Sequence, residues 1–275
     1  MAVDLHTHTI ASDGTATPAD VVTLALERGL SVIAITDHDS VEGIEEAIEA
    51  AEGTPLTVVP GVELSANTDD AHDLHILGFF LDHRSPALLE SLSDLRARRV
   101  DRAKEMVDAL TAAGYAVTLE RVFAHSGKGA VGRSHIARAL VDAGDVESVE
   151  HAFRDLIGRS GPFFIGKRLL SAVDAVGLIR AAGGVAVLAH PGVTRSDASI
   201  PELVEAGLGG LEAFHAEHTQ PDRDRYTGLA ARLGLLVTGG SDFHGPGTKN
   251  TSLGAGGCPD GAVEALRERA TISQP

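Results

Sequence analysis

Residues 1–14 read MAVDLHTHTIASDG. A predicted strand at residues 3–6 ends at His6, and His8 follows with one residue between the two histidines. Alternate residues of a β-strand point to the same side, so both imidazoles could bind one ion from a rigid support. Asp13 follows in the same segment and offers a carboxylate. Because two histidines at this spacing are also common by chance, the alternative is a pair of solvated side chains. The segment predicts a strand with a candidate metal site at its carboxyl end.

Short apolar runs recur along the chain, and most are followed by a stretch with helical spacing. We predict seven strands, at residues 3–6, 31–36, 56–60, 73–79, 184–189, 210–214 and 235–238. We predict helices at residues 18–28, 41–52, 172–182, 201–206, 222–233 and 260–269. Thr17 followed by Pro18 is typical of the start of a helix. Strands that alternate with helices indicate an α/β protein with a parallel sheet or barrel.

The alternation stops between residues 85 and 168, where only helical patterns occur. Four helices are expected there, at residues 86–113, 119–125, 134–142 and 146–157. The predicted organisation is therefore a discontinuous barrel, residues 1–84 and 169–275, with a helical insert or cap at 85–168. Four arginines of the insert alternate with acidic residues at helical spacing, which favours an ion-paired, solvated face over a binding patch. They are Arg96, Arg98, Arg99 and Arg102.

The composition excludes several classes of protein. The 275 residues carry 23 Lys and Arg against 39 Asp and Glu, a formal net charge of −16, which argues against binding to long nucleic acid or to an anionic membrane. The single cysteine, Cys258, excludes an internal disulfide, and no apolar run approaches the length of a spanning helix. The N-terminus lacks the pattern of a signal peptide, so a cytoplasmic location is expected. Thirteen histidines beside no tryptophan point instead to imidazole chemistry.

Residue types that bind metals recur at the ends of the predicted strands. They are His6, His8, His38, Glu63, His75, His190, Glu212, Asp242 and His244. In a barrel the carboxyl ends of the strands converge on one face, so these side chains would meet in one pocket. Burying so many polar groups without a cation would be costly, which favours a metal centre over unrelated polar residues. Zinc takes about four ligands and manganese about six, so this number of His, Asp and Glu side chains implies two or three divalent ions. Mn²⁺, Fe²⁺ and Zn²⁺ all suit nitrogen and oxygen ligands.

Three acidic residues near these positions each have two candidate roles. Asp37 and Asp39 flank His38, and we expect them to orient imidazoles or to accept a proton during catalysis, the alternative being N-capping of the next helix. Glu212 is equally compatible with a functional role and with a salt bridge inside the barrel.

The ordered motifs HTH, TDHD, GVE, HILG, AHP and SDFH resemble those of the PHP (polymerase and histidinol phosphatase) phosphoesterases, and the insert is similar to that of the bacterial nucleotide-phosphatase branch of that family. The resemblance implies a distorted seven-stranded (β/α) barrel with a di- or trinuclear metal site. It assigns His6, His8, Glu63 and Asp242 to one ion, Glu63, His75 and His190 to a second, and Asp13, His38 and His244 to a third. In some members the position of Asp13 is a histidine. Here the third ligand set therefore contains a carboxylate, which is a harder ligand than imidazole.

Two residues outside the metal set are candidates for substrate binding. Arg133 opens a predicted helix, where a guanidinium beside a helix N-terminus could bind phosphate, the alternative being a surface arginine. The resemblance implies that Arg133 and His218 contact a substrate phosphate. Weaker candidates are His135, His215 and Lys167. Residues 127–132 match GxGxxG, but they follow a predicted helix instead of a strand, which argues against a dinucleotide site.

The predicted function is that of a metal-dependent phosphomonoesterase. Paired cations lower the pKa of a bound water from 15.7 to about 7 and offset charge on a phosphoryl group, so no protein nucleophile is required. The resemblance points to a nucleoside 3′,5′-bisphosphate or the end of a short RNA as substrate. Alternatives are another phosphatase specificity, such as histidinol phosphate or a nucleoside monophosphate, a PHP-type exonuclease, and, more remotely, a non-catalytic metal-binding module.

Overall fold

The computed structural model of the protein describes residues 2–68, 73–126, 131–166 and 169–271. The chain divides into two compact units, one of Met1–Ser91 with Leu169–Pro275 and one of Leu92–Arg168. The division falls inside a long helix, Pro86–Ala112, whereas the sequence places the start of the insert just before it, at residue 85. We describe the first unit as the barrel unit and the second as the helical unit.

The regular elements follow the predicted alternation closely. The strands are β1 (Val3–Asp4), β2 (Val32–Ile35), β3 (Thr57–Asn67), β4 (Asp73–Phe79), β5 (Leu170–Ser171), β6 (Val185–Leu188), β7 (Gly210–His215) and β8 (Leu236–Gly240). The helices are α1 (Pro18–Glu27), α2 (Ile44–Ala51), α3 (Pro86–Ala112), α4 (Leu119–Ser126), α5 (Arg133–Asp142), α6 (Val149–Ala152), α7 (Ala172–Ala181), α8 (Pro191–Thr194), α9 (Ile200–Glu205), α10 (Gln220–Leu233) and α11 (Ala262–Arg269). A π-helix, Phe153–Ile157, continues α6.

The sheet runs in the order β1-β2-β3-β4-β6-β7-β8, with short β5 beside β3. All neighbours on this path are parallel except β4, which is antiparallel to both β3 and β6. The two ends of the sheet meet, since the Leu5 N–H donates to the Gly239 carbonyl at 3.2 Å and the His8 N–H to the Phe243 carbonyl at 2.8 Å. The predicted distorted seven-stranded barrel is therefore confirmed, and the antiparallel β4 is one source of its distortion.

Alternating strand residues contribute to the hydrophobic core of the barrel unit. One buried cluster takes Val185, Val187 and Ala189 from the β6 segment, which is the period-2 pattern of a strand face. Helix α11 packs against the same cluster through Val263 and Leu266. Three helices of this unit, α1, α7 and α10, begin with a side-chain cap. At α1 the Thr17 side chain accepts the Asp20 N–H at 3.0 Å, as predicted.

The helical unit has a hydrocarbon core of its own, built from buried residues of α3, α4, α5, α6 and the π-helix. Met106, Leu110 and Leu140 are fully buried in it. One arginine of the predicted solvated face is an exception, because Arg102 is buried and its Nε donates to the Ile165 carbonyl at 2.7 Å. None of the helices in the described part of the chain combines the length and apolar composition that crossing a bilayer requires.

Candidate metal centre

The predicted ligand residues lie at one end of the barrel. His6 and His8 follow β1, His38 follows β2, and His190 follows β6. Glu63 lies inside β3, which runs past its predicted end at residue 60 and pairs at Glu63 with His38. His75 lies near the start of β4, because an antiparallel strand begins at the end where its parallel neighbours finish.

The first ligand group is the most deeply buried. His6, His8 and Glu63 are inaccessible to solvent, and Asp242 is 17% exposed. The Glu63 Oε2 lies 3.2 Å from His6 Nε2 and 3.1 Å from His8 Nε2. The Asp242 Oδ1 lies 3.3 Å and 3.1 Å from the same two nitrogens. All four ligand atoms lie within 4.8 Å of one another, close enough to share one cation.

Glu63 also belongs to a second group. Its Oε1 lies 2.8 Å from His75 Nδ1 and 3.1 Å from His190 Nε2, while its Oε2 lies 3.0 Å from His38 Nδ1. His38, Glu63 and His75 have ligand atoms close enough for one ion, and His190 contacts the same carboxylate. Since each oxygen of Glu63 faces a different set of imidazoles, this side chain has the geometry of a bridging ligand.

A third group lies on the more accessible side of the centre. His8, Asp13, His38 and His244 bring their ligand atoms within 4.8 Å of one another, and His244 Nε2 lies 3.3 Å from Asp13 Oδ1. Asp13 is 28% exposed, whereas His8 is fully buried. His8 and His38 thus adjoin two groups each, so the three groups form one continuous cluster.

The buried polar atoms of the cluster fit divalent cations. Within the described part of the chain, His6 Nε2, His8 Nε2 and Glu63 Oε2 have no hydrogen-bond partner, although they lie close together. An unsatisfied buried polar group costs about 1–3 kcal/mol, and natural proteins contain few of them. Nitrogen and carboxylate ligands without thiolate are the donor set of zinc, manganese and iron sites.

The charges within the cluster favour the ligand form of its carboxylates. Burial raises the pKa of the Glu63 carboxyl, but the imidazoles of His38, His6 and His75 outweigh this effect and hold its pKa well below the usual value. Burial lowers the pKa of His244, but the charges of Asp13 and Asp242 and the hydrogen bonds to both residues together outweigh this effect and raise the pKa to about 10. Because a metal ligand must be deprotonated, a bound cation would replace such a proton.

Three residues of this end have a backbone that L-residues seldom adopt. Asp39, His190 and Asp242 have φ values of +48°, +29° and +53°. Strained backbone of this kind costs about 1–3 kcal/mol and persists where the surroundings hold it. Here the Asp39 N–H donates to the Glu63 carbonyl at 2.9 Å, and the Asp242 Oδ2 accepts from Asn250 Nδ2 at 2.8 Å. The contact of Asn250 was not predicted, because no sequence pattern in this glycine-rich loop identifies one asparagine as a partner of Asp242.

Asp37 and Asp39 hold backbone segments that carry ligands. The buried Asp37 carboxylate accepts from the Thr9 N–H at 2.7 Å, the Thr9 hydroxyl at 2.8 Å and the Ser12 hydroxyl at 2.6 Å, which fixes the turn between His8 and Asp13. Asp39 Oδ1 accepts from the Ser65 N–H at 2.7 Å, on the strand of Glu63. These contacts favour a positioning role, and catalysis by either carboxylate stays a prediction.

Two buried acids support the ligands of the barrel unit from behind. Glu212 Oε1 lies 3.0 Å from His6 Nδ1, and its Oε2 accepts the His190 N–H at 2.8 Å. Asp4 accepts from the N–H groups of His6, Ser241 and Gly254 at 3.2, 2.9 and 2.6 Å. The sequence left two roles open for Glu212 and did not identify Asp4 as a candidate. The available signal was an acidic residue inside an otherwise apolar strand.

The two histidines of the segment after β7 differ in what they contact. His218 Nδ1 donates to the Ala213 carbonyl at 2.9 Å and its Nε2 accepts the Gly192 N–H at 3.1 Å, so a phosphate contact would require one of these bonds to break. The buried His215, a weaker candidate, accepts the Glu217 N–H at Nδ1, and its Nε2 faces Asp242 Oδ2 at 3.6 Å. The geometry therefore brings His215, more than His218, toward the ligand cluster.

Arg133 lies at the start of α5 in the helical unit. Its guanidinium is 5.6 Å from the ring centre of Phe153 and 5.2 Å from that of Phe164, and its Nη1 donates to the Ile157 carbonyl at 3.3 Å. His135 is buried and its Nδ1 accepts the Gly132 N–H at 3.0 Å, which makes it a helix cap. Lys167 and residues 127–130 of the GxGxxG segment lie outside the described residues.

Comparisons with known proteins agree with this geometry. The chain matches the PHP domain family over residues 4–165. It is 36% identical over 258 residues to a 3′,5′-nucleoside bisphosphate phosphatase of Chromobacterium violaceum, covering 92% of this chain and 90% of the relative. It is 36% identical over 249 residues to a phosphoribosyl 1,2-cyclic phosphate 1,2-diphosphodiesterase of Eggerthella lenta, covering 89% and 95%. It is 33% identical over 250 residues to the 5′-3′ exoribonuclease Rnm of Escherichia coli, covering 88% and 85%.

A solved structure from Bifidobacterium adolescentis, assigned as a metal-dependent phosphoesterase, superposes with a TM-score of 0.90 at 36% identity. The match covers 98% of this chain and 96% of that protein, so both units have counterparts there.

Proposed function

Since this chain belongs to the PHP domain family and is a metal-dependent phosphoesterase, we propose that it removes a terminal phosphate from a small nucleotide, with a nucleoside 3′,5′-bisphosphate as the preferred substrate. The observation that carries the proposal is the convergence of five imidazoles on the two oxygens of Glu63. A phosphoester dianion requires concentrated positive charge, and in a chain of net charge −16 cations held at such a cluster would supply most of it at the reacting phosphate.

The residues fit two or three divalent ions. His6, His8, Glu63 and Asp242 would hold the first, Glu63, His75 and His190 the second, and Asp13, His38 and His244 the third. When bound, such ions generate a hydroxide nucleophile at neutral pH and offset the charge that develops on the phosphoryl group. Mn²⁺, Fe²⁺ and Zn²⁺ all suit this donor set.

The protein's own contribution is to hold these ligands rigid and to leave one side of the cluster accessible. His6, His8 and Glu63 are fully buried, whereas Asp13, His38, His75 and His244 are each 15–28% exposed. The substrate phosphate therefore approaches over the partly exposed group. The buried group forms the wall behind it and excludes water from the ligands.

Arg133 is the proposed contact for the second phosphate of the substrate. Its guanidinium lies against Phe153 and Phe164, which limits its orientation, and a planar guanidinium at a helix N-terminus suits bidentate binding of phosphate. The 36% identity with the bisphosphate phosphatase over 92% of this chain supports the same substrate class. A nucleotide substrate and a single cysteine favour a cytoplasmic location.

A second candidate is 5′-3′ exonucleolytic cleavage of short RNA, which the 33% identity with the exoribonuclease favours. Diester cleavage is a third outcome to be tested, because the cyclic-phosphate diesterase is as similar as the phosphatase. The net charge of −16 disfavours long polyanions, so short substrates are expected in either case.

The test is a substrate panel with the purified protein in Mn²⁺. Adenosine 3′,5′-bisphosphate, AMP, histidinol phosphate, a 5′-phosphorylated tetranucleotide and a ribose 1,2-cyclic phosphate are compared by release of inorganic phosphate and by chromatography of the products. We expect the highest kcat/KM with the bisphosphate, AMP as product, complete loss with EDTA and recovery when Mn²⁺ is restored. A higher kcat/KM with the tetranucleotide or the cyclic phosphate would overturn the substrate assignment, and no hydrolysis of any substrate would overturn the proposed function.

A further inference from the structure

Glu212 is a buried carboxylate that contacts two candidate ligands of different groups. It lies in β7 with about 1% of its surface exposed, behind His6 of the first ligand group and His190 beside the second. Glu212 does not itself belong to any of the three ligand groups among the described residues. A buried charge of this kind is costly unless its oxygens accept hydrogen bonds.

One oxygen of Glu212 determines the state of the His6 ring. Oε1 lies 3.0 Å from His6 Nδ1. A carboxylate can only accept a hydrogen bond, so Nδ1 carries the hydrogen and the lone pair of the neutral ring lies on Nε2. That nitrogen is the one that faces Glu63 Oε2 at 3.2 Å and Asp242 Oδ1 at 3.3 Å.

The other oxygen holds the backbone of His190. Oε2 accepts the His190 N–H at 2.8 Å. His190 has φ = +29°, a conformation that requires support from its surroundings, and its Nε2 lies 3.1 Å from Glu63 Oε1. Without this bond the turn that presents the imidazole loses one of its anchors.

An irregularity of β7 places Glu212 where it can make both contacts. Glu212 pairs with Thr238 of β8, but Phe214 pairs with Gly239, so Ala213 is an extra residue in the ladder. Such a bulge re-aims side chains and is common beside active sites. The Ala213 carbonyl accepts from His218, whose Nε2 accepts the Gly192 N–H, so the same bulge also anchors the turn after His190.

We propose that Glu212 is a positioning residue that couples two cation positions, because one carboxylate sets the tautomer of His6 for the first and the backbone of His190 for the second. The inference rests on the proposed metal centre. Loss of the carboxylate weakens both positions together, by about 10–100-fold in metal affinity, which is the usual effect of removing a residue that orients a ligand.

The deciding variant is Glu212→Ala, which removes both acceptors. Glu212→Gln keeps the size of the side chain and replaces one acceptor by an NH₂ group. That group must face either His6 Nδ1 or the His190 N–H. If it faces His6, the ring has to accept at Nδ1, and its hydrogen moves to Nε2. Glu212→Asp keeps both acceptors on a shorter side chain and should recover part of the affinity. Glu202→Gln, on the exposed face of α9, is the matched control.

Two measurements are made on the folded proteins. Calorimetric titration of the metal-free forms with Mn²⁺ should show both affinities reduced 10–100-fold in Glu212→Ala, a loss mainly at one position in Glu212→Gln, little change in Glu202→Gln, and an intermediate value in Glu212→Asp. In the Zn²⁺-bound proteins, imidazole ¹H–¹⁵N spectra should show His6 protonated at Nδ1 in the wild type and the resonance of that hydrogen shifted in Glu212→Ala, where its carboxylate acceptor is missing. In Glu212→Ala, both Mn²⁺ affinities within twofold of wild type, or loss at one position only, would overturn the coupling.

Should Glu212→Ala fail to fold, as judged by circular dichroism, Glu212→Asp decides by the same two measurements. Both readouts are independent of substrate. Failure to hydrolyse any substrate of the panel would therefore overturn the proposed function and leave this inference standing.

Discussion

Buried polar groups differ between two regions of the molecule in whether they have hydrogen-bond partners. One region is the ligand cluster at the strand ends of the barrel unit, and the other is the core of the helical unit. In the helical unit the buried His135 serves as a cap, with its Nδ1 accepting the Gly132 N–H, and the buried Arg102 donates to the Ile165 carbonyl. In the barrel unit, Nε2 of His6 and both ring nitrogens of His8 lack a hydrogen-bond partner among the described residues. Buried polar groups are normally paired, so this difference supports the proposal that the cations bind at the cluster.

The comparison also shows that residue type alone does not identify a ligand. His135 and His75 are both histidines beside apolar residues, yet one accepts a backbone N–H and the other lies 2.8 Å from Glu63 Oε1. The partner that the fold supplies decides the role. The four predictions below test whether the two regions are as separate in function as they are in chemistry.

The largest effect is expected from Glu63→Gln. This change removes a carboxylate whose oxygens lie within 3.2 Å of five imidazole nitrogens. Metal ions supply several kcal/mol of transition-state stabilisation and each 1.36 kcal/mol is tenfold in rate, so kcat/KM should fall by about 1,000-fold or more. Phosphate release and elemental analysis of bound metal check it, with the exposed Glu264→Gln as control. Activity within tenfold of wild type would contradict a bridging role.

Leu110→Ala should act on stability and leave the metal centre intact. Leu110 is fully buried in the core of the helical unit, and removing such a side chain costs about 2–5 kcal/mol. Chemical denaturation measures the loss, and titration with Mn²⁺ at low denaturant should give wild-type affinity. The exposed Asp108→Ala on the same helix should change stability by less than about 0.5 kcal/mol. A parallel loss of metal binding in Leu110→Ala would show that the two regions are not separate.

Arg133→Gln should affect the binding of a bisphosphate and spare the chemistry. A hydrogen bond to a charged group contributes about 1.5–3 kcal/mol, so KM for adenosine 3′,5′-bisphosphate should rise roughly 10–100-fold. Hydrolysis of p-nitrophenyl phosphate, which has one phosphate, should be nearly unchanged. Arg138→Gln, five residues later on α5, provides the control. Equal effects on both substrates would assign Arg133 to the structure of the helical unit instead.

The smallest effect is expected at the exposed ion pair of the helical unit. Arg154 Nη2 lies 2.6 Å from Asp155 Oδ2, and both side chains are well exposed. Solvent screening and the loss of side-chain entropy offset the electrostatic attraction within such exposed pairs. Arg154→Gln should therefore leave the denaturation midpoint and kcat/KM indistinguishable from wild type. A clear drop in either would show that charge on this surface matters more than its exposure indicates.

The sequence predicted the order of the elements well, because apolar runs and caps are local signals. All seven predicted strands are present, and the one that differs most is β3, which extends beyond residue 60 and takes in Glu63. Strand direction was harder to predict. Nothing in residues 73–79 distinguishes an antiparallel strand from a parallel one, since both have buried residues on the barrel side.

The ligand candidates were predictable for a similar reason. Histidine and carboxylate at strand ends are conspicuous in a chain with few aromatic residues, and the ordered motifs placed them in sequence. The supporting residues gave no comparable signal. Asp4, Glu212 and Asn250 each act through partners distant in the chain, as when Asp4 accepts from Ser241 and Gly254.

The sequence by itself determined which residues could bind metal and which segments form strands, since side-chain chemistry and hydrophobic period are properties of the chain. Only the tertiary structure decided that Glu63 lies between two sets of imidazoles, that His218 is occupied by backbone groups while His215 faces the cluster, and that Glu212 holds both His6 and His190. The physical reason is that hydrogen bonds and ligand contacts depend on separations of about 3 Å, which arise only when the barrel closes and brings together residues more than 200 positions apart in the chain.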